Sequence, residues 1–370
     1  MRISKIDLYL VRMKLVSPFE TSFGVETHRE TVIVRIEEER GEVGWGEAPI
    51  MEGPWYSYET SQTAWHVLKD FITPSLVGEE VEGPGGFWEG IGKRVRGHNI
   101  AKAGVDKALW DLKARLMGES LSKLIGGVRD EIYSGISIGI KKNIKELLKT
   151  VERRLEEGYR RIKLKIRPGW DVGVLREVRK EFPHIPLQVD ANAAYTLDDY
   201  LLLRKLDQFD LLMIEQPLDE DDLADHSQLA RKISTPICLD ESIKTIYDVK
   251  AAYLLGSCEI INLKPSRVGG ITKGLEIHDL CLRLGIPIWI GGMLETGIGR
   301  GFLVAMATLP GVKFPNDISA SSRYFKEDIV EPEWCLNPDG TISVPKAPGI
   351  GVEVKEEMLE RVSIKRERIG

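Results

Sequence analysis

Five polar residues at nearly constant spacing constrain this chain more than any other feature. Lys165, Asp190, Glu215, Asp240 and Lys264 follow one another at steps of 25, 25, 25 and 24 residues. Each closes a short apolar run: RIKLK, IPLQVD, LLMIE, PICLD and IINLK. Runs of this length, rich in Val, Ile and Leu, read as buried parallel strands. The intervals between them hold one helix and two loops, the repeating βα unit of a barrel. The ladder therefore predicts three carboxylates and two lysines at the C-terminal ends of five successive strands, the face where barrel enzymes carry their chemistry. A single acid after a strand is ordinarily a helix cap or a loop charge. Five positions in register, in the order Lys, acid, acid, acid, Lys, are poorly explained by capping, which favours Ser, Thr or Asn and does not favour Lys.

The period extends in both directions. The run EIYSGISIGI, from Ile132, presents Ser137 and Gly139 one step before Lys165, and GIPIWIGG and VKFPNDIS end near Ile290 and Asp317. Eight strand ends result, with helices expected over 143–157, 172–181, 197–206, 222–233, 246–255, 272–284 and 299–307 and no eighth barrel helix beyond Ser319. Upstream, 1–16 and 31–47 read as strands joined by a polar stretch from Ser17 to Glu30, with a hairpin turn near 39–42. Helices are expected over 60–71 and 101–117. In the second, Val105, Leu109, Leu112 and Leu116 form one stripe, and Asp106 and Asp111 are assigned to a solvated or salt-bridged face. The run from Glu82 to Gly86 reads as a turn and not a phosphate loop. The Pro- and Gly-rich tail reads as hairpin strands.

The residue types in the ladder suit one chemistry. Three carboxylates from adjacent strands would raise one another's pKa if left alone, and a hard divalent cation such as Mg²⁺ resolves that repulsion while keeping positions for substrate oxygens. No His or Cys stands in the set to favour zinc. His226 and His278 fall in expected helices, where surface or packing roles suffice. Removing a proton α to a carboxylate requires the developing negative charge to be stabilised as it forms, and a neutral amine to take the proton. Lys163 and Lys165 alternate along one strand and share a face, so Lys163 is expected to depress the pKa of Lys165.

These motifs resemble the enolase superfamily, in its muconate lactonizing enzyme subgroup. The resemblance rests on Lys163-x-Lys165, Asp190-Ala191-Asn192, Glu215-Gln216-Pro217, Asp240-Glu241-Ser242 and Lys264-Pro265. KLKIRPGWD, LQVDANAAYTL, TPICLDESI, NLKPSRVGG, IWIGGMLETGIGR and the N-terminal SPFETSFG narrow it to o-succinylbenzoate synthases and N-acylamino acid racemases. It covers essentially the whole chain. It implies an α/β fold: a modified TIM barrel, (β/α)7β, over 126–320, an α+β capping domain over 1–125, and a tail, 321–370, that completes the cap. It further implies Lys165 and Lys264 as acid/base groups on opposite faces of the substrate, and Asp190, Glu215 and Asp240 as ligands of Mg²⁺, with Mn²⁺ or another divalent cation able to substitute. Asn192 and Glu241 would orient ligands or Lys264, and Arg267 accompanies the racemases. Ser137, Gly291, Met293 and Leu294 would wall the substrate. Phe19, Phe23 and Trp55, from loops near 17–30 and 50–58, would close over it; a loop aromatic can equally be a local packing anchor.

The implied reaction is dehydration of 2-succinyl-6-hydroxy-2,4-cyclohexadiene-1-carboxylate in menaquinone biosynthesis, with N-acylamino acid or N-succinylamino acid racemase activity in the same site. A dedicated racemase outside menaquinone synthesis, another enzyme of the subgroup such as a dipeptide epimerase or cycloisomerase, or a non-catalytic binding barrel are the alternatives. No His–Asp dyad follows the sixth and seventh strands, which disfavours dehydration of sugar acids. The seventh strand end lacks the Lys of true enolases. Asp317-Ile-Ser replaces the Asp-x-Asp of dipeptide epimerases.

Composition sets the remaining bounds. At 370 residues two domains are the natural expectation, and a net charge of −6 gives no reason to expect nucleic acid or an acidic membrane as partner. No apolar run approaches a membrane span, and the start, MRISKIDLYLVRMKL, alternates like a strand without a signal-peptide cleavage pattern. Cys238, Cys258, Cys281 and Cys335 show no zinc spacing and read as free thiols, largely buried, in a reducing cytosol. The expected protein is a cytoplasmic homo-oligomer acting on a small carboxylate.

Overall fold

The computed structural model describes residues 1–22 and 24–370; Phe23 lies outside the described residues. Strands β1 (Ile3–Glu20), β2 (Val25–Glu38) and β3 (Val43–Pro49) form an antiparallel sheet. The stretch expected as a loop from Ser17 to Glu30 is mostly strand. After a register shift beyond Lys14, pairing resumes at Phe19↔Glu26 and Glu20↔Val25, which carries both ends of the polar stretch into β1 and β2. The second turn falls where expected: the Glu38 amide donates to the Glu42 carbonyl at 3.0 Å, and Gly41 has φ +92°.

One long helix, Asn99–Leu116, lies against this sheet and the barrel. Val105, Leu109 and Leu112 are fully buried, as the stripe predicts, whereas Leu116 is exposed. β3 approaches this helix closely enough that a Cβ on Gly46 would lie 2.0 Å from the Gly104 carbonyl oxygen, which leaves room for glycine alone. Of the expected solvated or salt-bridged face, the solvated alternative is corrected here, because Asp106 and Asp111 are both fully buried, while Asp111 is salt-bridged. Asp111 accepts from the Trp45 and Ile350 amides and pairs with Arg115 at 3.2 Å. Asp106 accepts from Trp88 Nε1 and from the amide and hydroxyl of Thr272, at the start of helix Ile271–Leu284. From β3, the Glu47 carboxylate likewise accepts from Thr296 and Gly299 at the start of helix Gly297–Ala307. A carboxylate at a helix N-terminus satisfies amides that have no partner within the helix. These two acids thereby fix the cap on the barrel.

The run from Glu82 to Gly86 is not a turn: Gly83–Glu89 is helical, with Pro84 in the first turn, where a missing N–H costs nothing. β4 (Glu131–Tyr133), expected as the start of the first barrel strand, leaves the barrel to pair with the tail. The barrel sheet itself is parallel and in sequence order: β5 (Gly135–Ile138), β6 (Arg161–Lys165), β7 (Leu187–Asp190), β8 (Ile214–Glu215), β9 (Ile237–Leu239), β10 (Ile260–Leu263) and β11 (Ile288–Ile290). The eighth position is held by the extended segment 312–317. It bridges β11 through Ile288↔Val312 and the chain just before β5 through Ser134↔Asn316, and the Gly135 amide donates to Asn316 O at 2.7 Å. Helices Val172–Glu181 and Ile246–Leu255 match their expected spans. The helix expected over 197–206 is instead broken into three short turns between a Thr196–Asp199 cap and Asp210, whose φ of +46° ends it.

The tail places β12 (Val330–Glu331) beside β14 (Glu353–Val354) and β13 (Thr341–Ser343) beside β4. It then adds a helix, Glu356–Val362, not expected from its sequence. β15 (Ser363–Ile369) finally pairs with β1, giving the cap sheet the order β15-β1-β2-β3.

Candidate active site

Parallel register brings the ladder together. Lys165 lies opposite Asp190, and Asp190 opposite Glu215; Asp240 and Lys264 follow the ends of β9 and β10 by one residue. All five are buried. Lys165 Nζ donates to Asp190 Oδ2 at 2.7 Å and to Asn192 Oδ1 at 2.6 Å, and Asn192 Nδ2 donates in turn to Glu241 Oε1 at 2.7 Å. Asn192 holds a left-handed φ of +44°, which aims it back at Lys165. Across the cavity Lys264 Nζ donates to Asp240 Oδ2 at 2.8 Å and to the Tyr56 hydroxyl at 2.9 Å. Arg267 bonds Asp240, the Tyr56 hydroxyl and the carbonyls of Ile243 and Asn262.

Beneath the ladder, Lys163 Nζ reaches Asp317 at 2.7 Å, Glu215 at 2.9 Å and Asp190 at 3.1 Å. Gln188 and Asn262 also donate to Glu215. Burial disfavours the Lys163 ammonium, yet Asp317, Glu215 and Asp190 outweigh burial and hold its pKa well above the ordinary lysine value. The expectation that Lys163 serves to depress Lys165 is corrected to this extent: its charge is engaged by three carboxylates. Lys264 behaves similarly. Burial pushes it down and Arg267 adds to that, but Asp240 prevails and the net direction is up. Arg267 and Lys264 share Asp240, so the arginine alone does not make Lys264 neutral.

The donor set fits a hard divalent cation in its chemistry. Burial, and then repulsion from Asp190, push Glu215 up to about 7, so the three carboxylates call for added positive charge in order to ionise together. Here the amines supply it, and with the carboxylates turned toward them no group of three or more His, Cys, Asp or Glu among the described residues converges as a metal site.

A cavity lies between cap and barrel mouth. Lys165, Asn192, Lys264, Gly292, Met293 and Leu294 line it from below, and Phe19, Thr21, Glu26, Arg29, Met51 and Tyr56 from above. Three expected wall residues are not among those lining this cavity. Trp55 is 63% exposed and lies outside the lining, because its neighbour Tyr56 turns inward and takes the place. Gly291 packs against Asn262, where a Cβ would meet the amide oxygen at 2.1 Å, and Gly292 takes the wall. Ser137 is buried opposite Lys163, below the cavity, with no partner for its hydroxyl. Tyr56, Thr21, Glu26, Arg29 and Met51 escaped the sequence reading, since cap segments carry no period to register them. Asp317 did carry one, at the eighth strand end, but its role had no assignment; it pairs with Lys163 and with Arg161, both at 2.7 Å.

Residues 5–126 match the mandelate racemase / muconate lactonizing enzyme N-terminal domain, and residues 146–358 match the enolase C-terminal domain-like family. The chain belongs to the enolase superfamily. Membership implies a divalent metal ion. Over 362 residues the chain is 47% identical to an o-succinylbenzoate synthase of Geobacillus stearothermophilus, covering 97% of this chain and 95% of that one. It is 45% identical over 371 residues to an N-succinylamino acid racemase of Amycolatopsis sp, covering 100% of both. The crystal structure of an enolase superfamily member from Listeria innocua superposes with a TM-score of 0.95 at 40% identity, covering 100% and 99% of the two chains. The chain is an enzyme of this superfamily. His226 and His278 are buried packing residues, and among the described residues no helix is long and apolar enough to cross a membrane.

Proposed function

We propose that this enzyme is an o-succinylbenzoate synthase whose site also racemises N-succinylamino acids, with 1–125 as cap, 126–320 as catalytic barrel and 321–370 as a tail returning to the cap. The observation that carries the reading is the pair of buried amines, Lys165 and Lys264, lining one cavity on either side of the carboxylate row. The relatives at 44–47% identity bearing both activity names support it.

In the dehydration, Lys165 takes the α proton of the cyclohexadiene carboxylate. The electron pair of that C–H bond moves into the ring system, the C–O bond to the hydroxyl breaks, and Lys165 returns its proton to the departing oxygen, so that water leaves and the ring becomes aromatic. Asn192, bonded to Lys165 and Glu241, fixes the amine at the α carbon. Lys264 stays cationic on the opposite face and stabilises the developing negative charge. Asp190, Glu215 and Asp240 would hold Mg²⁺, or Mn²⁺ in its place, which when bound supplies positive charge to the substrate carboxylate oxygens. In racemisation one lysine removes the proton and the other delivers it to the opposite face.

A dedicated racemase is the second reading, favoured by Arg267 standing against Tyr56 and Asp240 beside Lys264. Dipeptide epimerase activity is less well supported: the L-Ala-D/L-Glu epimerase of Bacillus subtilis is 28% identical. The test is proton exchange of each N-succinylamino acid enantiomer in D₂O with Mg²⁺, beside the dehydration rate. Lys165→Ala should stop exchange of one enantiomer and Lys264→Ala that of the other. Loss of both enantiomers' exchange in each variant would remove the two-face assignment.

A further inference from the structure

Arg29 projects from β2 into the roof of the cavity. It is 2% exposed, and its Nε and Nη1 are buried without a hydrogen-bond partner. A buried guanidinium presents five donors and cannot discard its charge as a lysine can, so leaving two nitrogens unsatisfied is costly. The nearest acids do not resolve this. Glu47 is engaged by Thr296 and Gly299, and Glu295 accepts from the Met293 amide at 2.6 Å. Glu26 lines the same cavity and attracts Arg29 through space, but Nε and Nη1 still lack an oxygen partner. Each of these nitrogens belongs to one N–H fork of the guanidinium, Nε with Nη2 or Nη1 with Nη2, and such a fork matches a carboxylate in two-point contact. Lys165 and Lys264 line the same cavity. The space they share has a wall of Phe19, Met51, Met293 and Leu294.

We propose that Arg29 binds the distal carboxylate of a dicarboxylate substrate, the terminal carboxylate of a succinyl arm, and so sets the preference for succinylated over uncharged acyl substrates. This rests on the function proposed above, in which the substrates of both reactions share that arm and differ in the part that reacts.

The experiment compares N-succinyl and N-acetyl forms of one amino acid, as α-proton exchange in D₂O with the Mg²⁺-loaded enzyme, in wild type, Arg29→Met and Arg29→Lys. The ratio of kcat/KM for N-succinyl over N-acetyl substrate should fall about 10- to 100-fold in Arg29→Met, carried mainly by KM, and by less in Arg29→Lys, which keeps the charge but loses the fork. An unchanged ratio, with both substrates losing equally, overturns the proposal. Because Arg29→Met could fail to fold, a second measurement uses wild type alone. o-Succinylbenzoate should bind at least about 10-fold more tightly than its monomethyl ester at the succinyl carboxylate; equal affinities overturn the proposal. Turnover of neither acyl class, together with Arg29-dependent binding of o-succinylbenzoate, would sink the proposed reaction while supporting the anion site.

Discussion

On the barrel side of the cavity, Lys165, Asp190 and Glu215 face one another across adjacent strands because the parallel ladder puts residues about 25 positions apart at one level. On the cap side, Phe19, Arg29 and Tyr56 come from β1, β2 and the loop after β3, with no shared period. Every barrel-side ionisable group is locked to a partner: Lys165 to Asp190, Lys264 to Asp240, Lys163 to three acids. The cap instead offers an arginine with open donors, aromatic and thioether surface, and one phenol that reaches down to Lys264. A rigid ladder suits the reaction common to many substrates, since reacting groups must be held within a fraction of an ångström. Irregular segments suit the choice among substrates, because they can vary without disturbing the ladder.

The largest effects should fall on the barrel side. Chelation should abolish turnover, and Mg²⁺ should restore it. Because the cation would bind the folded protein, Mg²⁺ at 100 times its Kd should add about 2.7 kcal/mol of stability, read as a rise in Tm, and Asp240→Asn should remove most of that rise. Undiminished activity in the metal-free protein would break the assignment of the carboxylate row. Lys165→Ala should lower kcat roughly 10²- to 10⁴-fold with KM little changed and the folded circular dichroism spectrum retained. A loss confined to KM would move Lys165 from the reaction to binding.

How much of this was legible follows from the same contrast. The ladder could be read because the strands are short, buried and evenly repeated, so a polar residue at each end stands out against Val, Ile and Leu. Asp317 kept the period and was visible, but its partners Lys163 and Arg161 lie more than 150 positions away and meet it only on barrel closure. Trp55 and Tyr56 could not be separated by sequence, since both are aromatic loop residues and one backbone rotation decides which points inward. Asp106 and Asp111 misled for another reason. On a helix, acids beside an apolar stripe imply solvent unless a second surface covers them, and here barrel helix starts and the tail do so. Lys163 lies inside the barrel, but its neighbours come from three other segments, and their carboxylates engage its charge.

Asp106 joins the two sides, and its removal should loosen the cap without touching the site. Burial raises its pKa from 3.8 to about 6, although Thr272 and Trp88 favour the charged form. The folded state therefore holds a proton that the unfolded chain has lost between those values. The stabilising contribution is complete below pH 3.8, declines as pH rises toward 6, and is gone above it, a change of about 3 kcal/mol if this group acts alone. Asp106→Asn, which keeps the acceptor, should flatten that part of the stability–pH curve measured by urea denaturation. An unaltered slope between pH 4 and 6 would place the titration elsewhere.

The smallest effect, and the sharpest test of the division, concerns Tyr56, a cap residue whose hydroxyl bonds Lys264. Burial, followed by Asp240, pushes its pKa up to about 12, so it is a neutral phenol at working pH. Its oxygen accepts from Lys264 Nζ and from Arg267 Nη1, both at 2.9 Å. Tyr56→Phe keeps the ring over the Lys264 ammonium, 4.6 Å from the ring centre, and deletes the oxygen alone. A hydrogen bond to a charged group is worth about 1.5–3 kcal/mol, but Asp240 still holds Lys264 and recovers part of it. Exchange through Lys264 should therefore fall about 10-fold, while exchange through Lys165, on the opposite face, changes by less than about threefold. The two rates separate in D₂O by starting from each enantiomer of one N-succinylamino acid. If both fall together, Tyr56 acts by shaping the cavity as a whole. If only the Lys264 face falls, the cap reaches into the chemistry at this one hydroxyl, and substrate choice and reaction face are coupled through it.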